Sequence, residues 1–214
     1  VAPTGYSSWR TPLPPDIADQ LKQRSWKLEE LQRVVDQFVI HYDVCGTSRQ
    51  CFKILHDMRG LSVQFMLDID GTIYQTLDLK ERAWHASNAN SRSVGVEIAH
   101  IGAYGDTATL DKWYQPDKTG KRRIVLPDWM GDGGVRTPNF VGYPARQELI
   151  KRRAQGRELV QYDFTNEQYE SLIKLSAALC RVFPKIACDT PRNADGDLID
   201  VMLSEEQYNN YHGL

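Results

Sequence analysis

The chain has 214 residues, 41% hydrophobic and 25% charged, with a formal net charge of -2. That is enough chain to bury a core, but the near-neutral charge offers no basic footprint for nucleic acid, and no apolar run reaches the roughly 20 residues a membrane-spanning helix needs. The first residue is Val1, not Met, so the chain reads either as a processed product or as an artificially trimmed one, in which any signal peptide would already be gone.

Residues 1–14, with Pro3, Pro12 and Pro14, read as an extended N-terminal arm. Scattered apolar positions at Ile17, Leu21, Leu28, Leu31 and Val34 suggest one or two short helices over 15–35. Phe38-Val39-Ile40-His41-Tyr42 is β-branched and aromatic and reads as a buried strand. A helix is expected over 50–59, with Gly60 as its stop. Residues 63–69 and 72–77 read as two strands joined by the Asp70-Gly71 turn signal. A further strand is expected over 93–99.

Residues 103–157 differ in kind. They hold seven glycines and four prolines between Gly105 and Gly156 and have weak periodicity. A structureless loop of that length is uncommon in a compact domain, so an insertion with structure of its own or a functional flap is expected. After it, Thr165 and Gln168 form a capping box that opens a helix reaching Val182. Ser204 and Gln207 repeat the pattern, so a last helix should begin near 205, only a few residues before Leu214. This order of elements fits an α/β fold with a mixed sheet covered by helices.

The four cysteines fall into two local pairs, Cys45 with Cys51 and Cys180 with Cys188. Two disulfides formed in an oxidising compartment are one reading, and four buried thiols the other. The five histidines are His41, His56, His85, His100 and His212, and no HExxH, CxxC or HxH motif is present. His41 stands out because it ends an apolar strand, where a side chain can face a cleft; a buried histidine satisfied by hydrogen bonds is the plainer alternative. His56 and His100 are assigned no role, although His100 could line a groove.

Four segments occur in order and at short spacing: Val39-Ile40-His41-Tyr42, Phe65 through Gln75, Ala83-Trp84-His85-Ala86, and Ser93-Val94-Gly95-Val96-Glu97-Ile98. Together they resemble the type 2 N-acetylmuramoyl-L-alanine amidases and the related peptidoglycan recognition proteins. The resemblance covers residues 38–99, with an echo at the Phe164–Leu172 helix start, and does not cover 103–157. It implies a single amidase-like domain over 1–214 with a central mixed β-sheet flanked by helices. It also implies hydrolysis of the amide between N-acetylmuramic acid and the L-alanine of the stem peptide, with Zn2+ as cofactor. His41 falls on the family's first zinc ligand, Glu97 on an acidic residue facing the metal, and His85 on a position lining the substrate groove. Trp84 and Tyr74 could add a sugar-stacking surface. The resemblance further implies a Cys45–Cys51 disulfide beside the metal site. Partners would be peptidoglycan or muropeptides, the chain a monomer, and its location secreted, periplasmic or in the cell envelope.

Two departures stand out. Gln64 occupies a place where the family often has a histidine. The two later zinc ligands, expected after the long helix, are not found between 183 and 214, where His212 is the remaining candidate ligand. Either the C-terminal end of the domain is missing, or the chain is a non-catalytic peptidoglycan-binding module. A zinc hydrolase of the same fold acting on another amide is a third reading, because fold does not fix substrate.

Overall fold

The computed structural model describes residues 10, 12–22, 24–154, 156–199 and 201–214, so most of the expected arm at 1–14 lies outside the described residues. Two short helices, α1 (Pro15–Leu21) and α2 (Leu28–Val34), precede strand β1 (Gln37–Tyr42). Helix α3 (Ser48–Phe52) follows and widens into a π-helical segment at Lys53–Met58, where a regular helix was expected. Gly60, at φ +61°, ends it as expected. Strands β2 (Phe65–Leu67) and β3 (Ile73–Gln75) flank the Asp70-Gly71 turn, in which Gly71 takes φ +79°. Strand β4 (Ser93–Ile98) completes a sheet of order β1-β4-β2-β3. β1 and β2 run parallel to β4, and β3 is antiparallel to β2. The sheet is therefore mixed.

Strict alternation along β4 explains its two faces. Val94, Val96 and Ile98 are buried in the main core with Phe38, Phe65 and Leu67. Residues of α1, α2 and the long helix α5 (Asn166–Val182) cover that side, including Ile17, Leu31, Leu175 and Leu179. Ser93, Gly95 and Glu97 take the other face. The Thr165–Gln168 capping box forms, and the buried Thr165 hydroxyl also donates to the Ile69 carbonyl at 2.7 Å, which docks α5 on the β2–β3 turn. The Gln168 amide donates to the Ala99 carbonyl at 2.7 Å.

The segment expected to be an insertion has structure of its own. Helix α4 (Leu110–Trp113) leads into the hairpin β5 (Tyr114–Pro116) and β6 (Arg122–Ile124). A second hairpin follows, β7 (Ile150–Ala154) and β8 (Arg157–Gln161). Ile101, Leu110, Tyr114 and Tyr162 form a small core beneath the two hairpins. Gly133 and Gly134 pass close over α3: a Cβ on Gly134 would meet the Arg49 guanidinium.

Helix α6 (Glu205–Asn210) starts at its capping box as expected and ends within six residues. The chain then turns back, and the Gly213 carbonyl accepts from Phe38 N at 2.9 Å, forming a parallel bridge at the start of β1. Arg92 fixes this return. Its guanidinium pairs with Asp36 at 2.6 Å and donates to the carbonyls of Asn209 and Tyr211.

Candidate active site

His41 on β1 and Glu97 on β4 are register partners, so their side chains leave the sheet on the same face. His85 reaches that face from the loop between β3 and β4. Asn90, itself buried, shapes the approach: its Oδ1 accepts from His85 N at 3.0 Å and from Ala86 N at 2.7 Å. The His85 ring lies between two partners, with Nδ1 3.2 Å from His41 Nε2 and Nε2 3.2 Å from Ser93 Oγ. Glu97, His85 and Trp84 line one cavity of about 470 Å³, together with Leu55, Leu61 and Arg82.

Electrostatics divide the labour among these groups. Burial pushes the Glu97 carboxyl up to about 7, so near neutral pH it can hold or release a proton. Burial, and after it the neighbouring His41, Arg10 and Arg82, lower His85 to about 3. Burial also lowers His41. Both rings are neutral at pH 7, the form in which imidazole donates one hydrogen bond, accepts another and can bind a metal.

The other expected site residues are dispersed. Trp84 lines the cavity and is partly exposed, with the Arg82 guanidinium 4.2 Å from its ring centroid. Tyr74 lines a separate cavity of about 350 Å³ with Phe52, Met66, Arg49 and Gly134. His212 is not brought to His41. Its Nδ1 lies 2.9 Å from both Asp36 Oδ2 and Arg92 Nη2, at the opposite end of β1, because the Arg92 contacts hold the chain return there. His100 lies outside the groove and is buried. Its Nδ1 accepts from Gly102 N at 2.9 Å and its Nε2 donates to the Tyr162 carbonyl at 3.0 Å. Gln64, standing where the resemblance expects a histidine, is fully buried and joins segments: it donates to the Glu81 carbonyl at 3.1 Å and accepts from Gly95 N at 2.8 Å.

Cys180 and Cys188 are bonded, as one reading expected. The Cys45–Cys51 bridge is not formed, and both residues are thiols. Cys45 Sγ engages the Asp43 carbonyl at 3.0 Å, and the two thiols hydrogen-bond to each other, an arrangement that lowers Cys45 and raises Cys51. Asp43 Oδ2 is buried beside them without a hydrogen-bond partner among the described residues.

Asp43, Cys45 and Cys51 are also the one group of three or more potential metal donors among the described residues, with donor atoms within 4.8 Å of one another. Carboxylate and thiolate suit zinc, yet this group excludes His41, and its thiols are tied to each other. His41 alone fits the expected zinc set, as a neutral imidazole at the cleft. The described residues do not gather two further ligands around it.

Two residues that matter to the site were not singled out from the sequence. Arg10 is fully buried, and its guanidinium donates to the carbonyls of Leu79, Glu81, Ser91 and Ser93, closing the neck of the segment that carries His85. Gly95 lies directly under the His85 ring. A glycine inside an otherwise β-branched strand is a readable signal of close approach; an isolated arginine in a proline-containing arm gives none.

Among solved structures, the complex of the N-acetylmuramyl-L-alanine amidase AmiD from E. coli with anhydro-N-acetylmuramic acid-L-Ala-D-gamma-Glu-L-Lys is similar, at 15% identity and a TM-score of 0.41. The match covers 76% of this chain and 47% of that one, so this chain spans about half the length of that structure. No curated protein matches significantly. The sequence profile of the family described as N-acetylmuramoyl-L-alanine amidase matches residues 31–192, a span that contains His41, His85, Glu97 and the whole four-stranded sheet. The chain belongs to the N-acetylmuramoyl-L-alanine amidase family.

Proposed function

We propose that this protein is a zinc-dependent amidase that hydrolyses the amide between N-acetylmuramic acid and the L-alanine of the peptidoglycan stem peptide. The observation that carries the reading is the convergence of His41, His85 and Glu97 on one face of the sheet, within the span that matches the family. Glu97, pushed up to about 7 by burial, takes a proton from the attacking water and returns it to the leaving amine. His85, neutral and held between Ser93 and His41, borders the reacting groups, and its one N–H reaches the carbonyl oxygen, as charge develops there, only by exchanging its contact to Ser93 or His41 for it. A zinc ion, for which His41 would be one ligand, would supply an acidified water and polarisation of the scissile carbonyl. The Cys180–Cys188 disulfide supports action in an oxidising compartment such as the cell envelope or the exterior.

The test is release of free stem peptide from a purified muropeptide, followed by mass spectrometry. Release should require zinc, stop on chelation and vanish in His41→Ala. Zinc-loaded protein that frees no stem peptide sinks the proposal. A second reading, a peptidoglycan-binding module without catalysis, is favoured by the incomplete donor set around His41. It requires binding that survives chelator, and stoichiometric tight zinc would count against it.

A further inference from the structure

Gly95 sits in the interior of β4, the strand paired on both sides in the sheet. Glycine there packs nothing and weakens the strand. Its φ lies outside the left-handed region, so the backbone itself would accept an alanine. The obstacle is the His85 ring: a Cβ on Gly95 would lie 2.4 Å from Cε1 and 2.5 Å from Nδ1 of His85. The strand cannot easily back away, because Gly95 N donates to the buried Gln64 Oε1 at 2.8 Å. The ring cannot slide freely along the strand either, with Ser93 Oγ at Nε2 and His41 Nε2 at Nδ1, each 3.2 Å away.

We propose that Gly95 is a positioning residue whose missing side chain forms the seat that holds His85 against the sheet, between Ser93 and His41. Residue 95 touches no substrate; it acts through His85. The inference deepens the amidase reading and rests on it only in the kinetic arm of the test.

Gly95→Ala should shift the ring 15N resonances of His85 and His41 and remove the contact between the rings. A ring displaced by roughly 1 Å should cost about 100-fold in kcat, with KM nearly unchanged. In a His85→Ala background the same substitution should change the rate by less than about twofold, because the two changes act through one group. If Gly95→Ala proves unfolded, the Gly95→Ala, His85→Ala double variant should fold, because removing the ring makes room for the methyl. Ring resonances that do not move overturn the proposal. So does a rate loss of equal size in the His85→Ala background, or a double variant that is also unfolded. Wild-type protein that releases no stem peptide removes the amidase reading alone, because the resonances still decide the seat.

Discussion

The sheet and the insertion hold themselves together in different ways. In the sheet region, buried polar side chains tie segments far apart in the chain. Arg10 reaches four carbonyls between Leu79 and Ser93, Gln64 joins Glu81 to Gly95, and Gln168 reaches Ala99. In the insertion, many polar side chains serve their own turns. Asp106 accepts from Ala108 N, Asp117 from Thr119 N and Lys121 N, and Asp132 from Gly134 N. Local bonds of that kind shape a loop, whereas long-range bonds fix the relative positions of the candidate site groups. The difference predicts where the protein is brittle.

The largest effect should fall on the sheet face. Glu97→Gln should lower stem-peptide release by about 10²–10⁴-fold while leaving the thermal midpoint nearly unchanged; a variant that keeps the wild-type rate would remove Glu97 from the chemistry. Arg10→Ala comes next, because it leaves four carbonyls short of a donor and opens a cavity. It should cost about 3 kcal/mol or more, read from urea denaturation, and a cost near zero would break the comparison on the sheet side.

His100 joins the two regions and should show an intermediate, pH-dependent effect. Burial lowers it to about 4, whereas the unfolded chain titrates at about 6.5. The unfolded state therefore binds the proton first as pH falls. The associated stability is complete above about 6.5 and is lost between about 6.5 and 4, by on the order of 3 kcal/mol. Denaturation midpoints of the wild type and His100→Gln, compared from pH 7 to 4.5, isolate this component, and parallel pH profiles would refute it. The smallest effect belongs to Trp129, 68% exposed on the short 3-10 turn Asp128–Met130 of the insertion. Trp129→Ala should move stability by no more than about 0.5 kcal/mol; a larger loss in thermal melting would show that the insertion is not held locally.

The same division governs what could be read in advance. β1, β4 and the β2–β3 turn were legible because alternation, β-branching and Asp-Gly are local signals, and both capping boxes formed where Thr165–Gln168 and Ser204–Gln207 placed them. Glu97 was visible only through the resemblance, since an acidic residue in an alternating strand normally faces water. Its rise to about 7 comes from surroundings that the strand sequence does not contain. The two hairpins of the insertion were not resolved in advance, although Asp117–Gly120 and Gly156 mark their turns, because their strands are short and rest on a small core assembled from distant residues. Arg10 and Gln64 depend on contacts across tens of residues, which no window of sequence can show, whereas Gly95 is marked in the strand by its type but its occupant, the His85 ring, is not.

One consequence follows from the order of the strands. Glu97 lies on β4, a strand hydrogen-bonded to a neighbour on each side, whereas His41 lies on the rim strand β1, whose outer side is bridged, among the described residues, by Gly213 only at Gln37. Amide hydrogen exchange should therefore be fast at Ile40 and Tyr42, whose N–H groups follow that of Phe38 toward the rim, and slower at His41, whose N–H follows those of Gln37 and Asp43 toward β4. The carboxylate has a strand on each side and the imidazole only one, so whatever seals the rim of β1 beyond Gln37 also determines how long His41 stays in place.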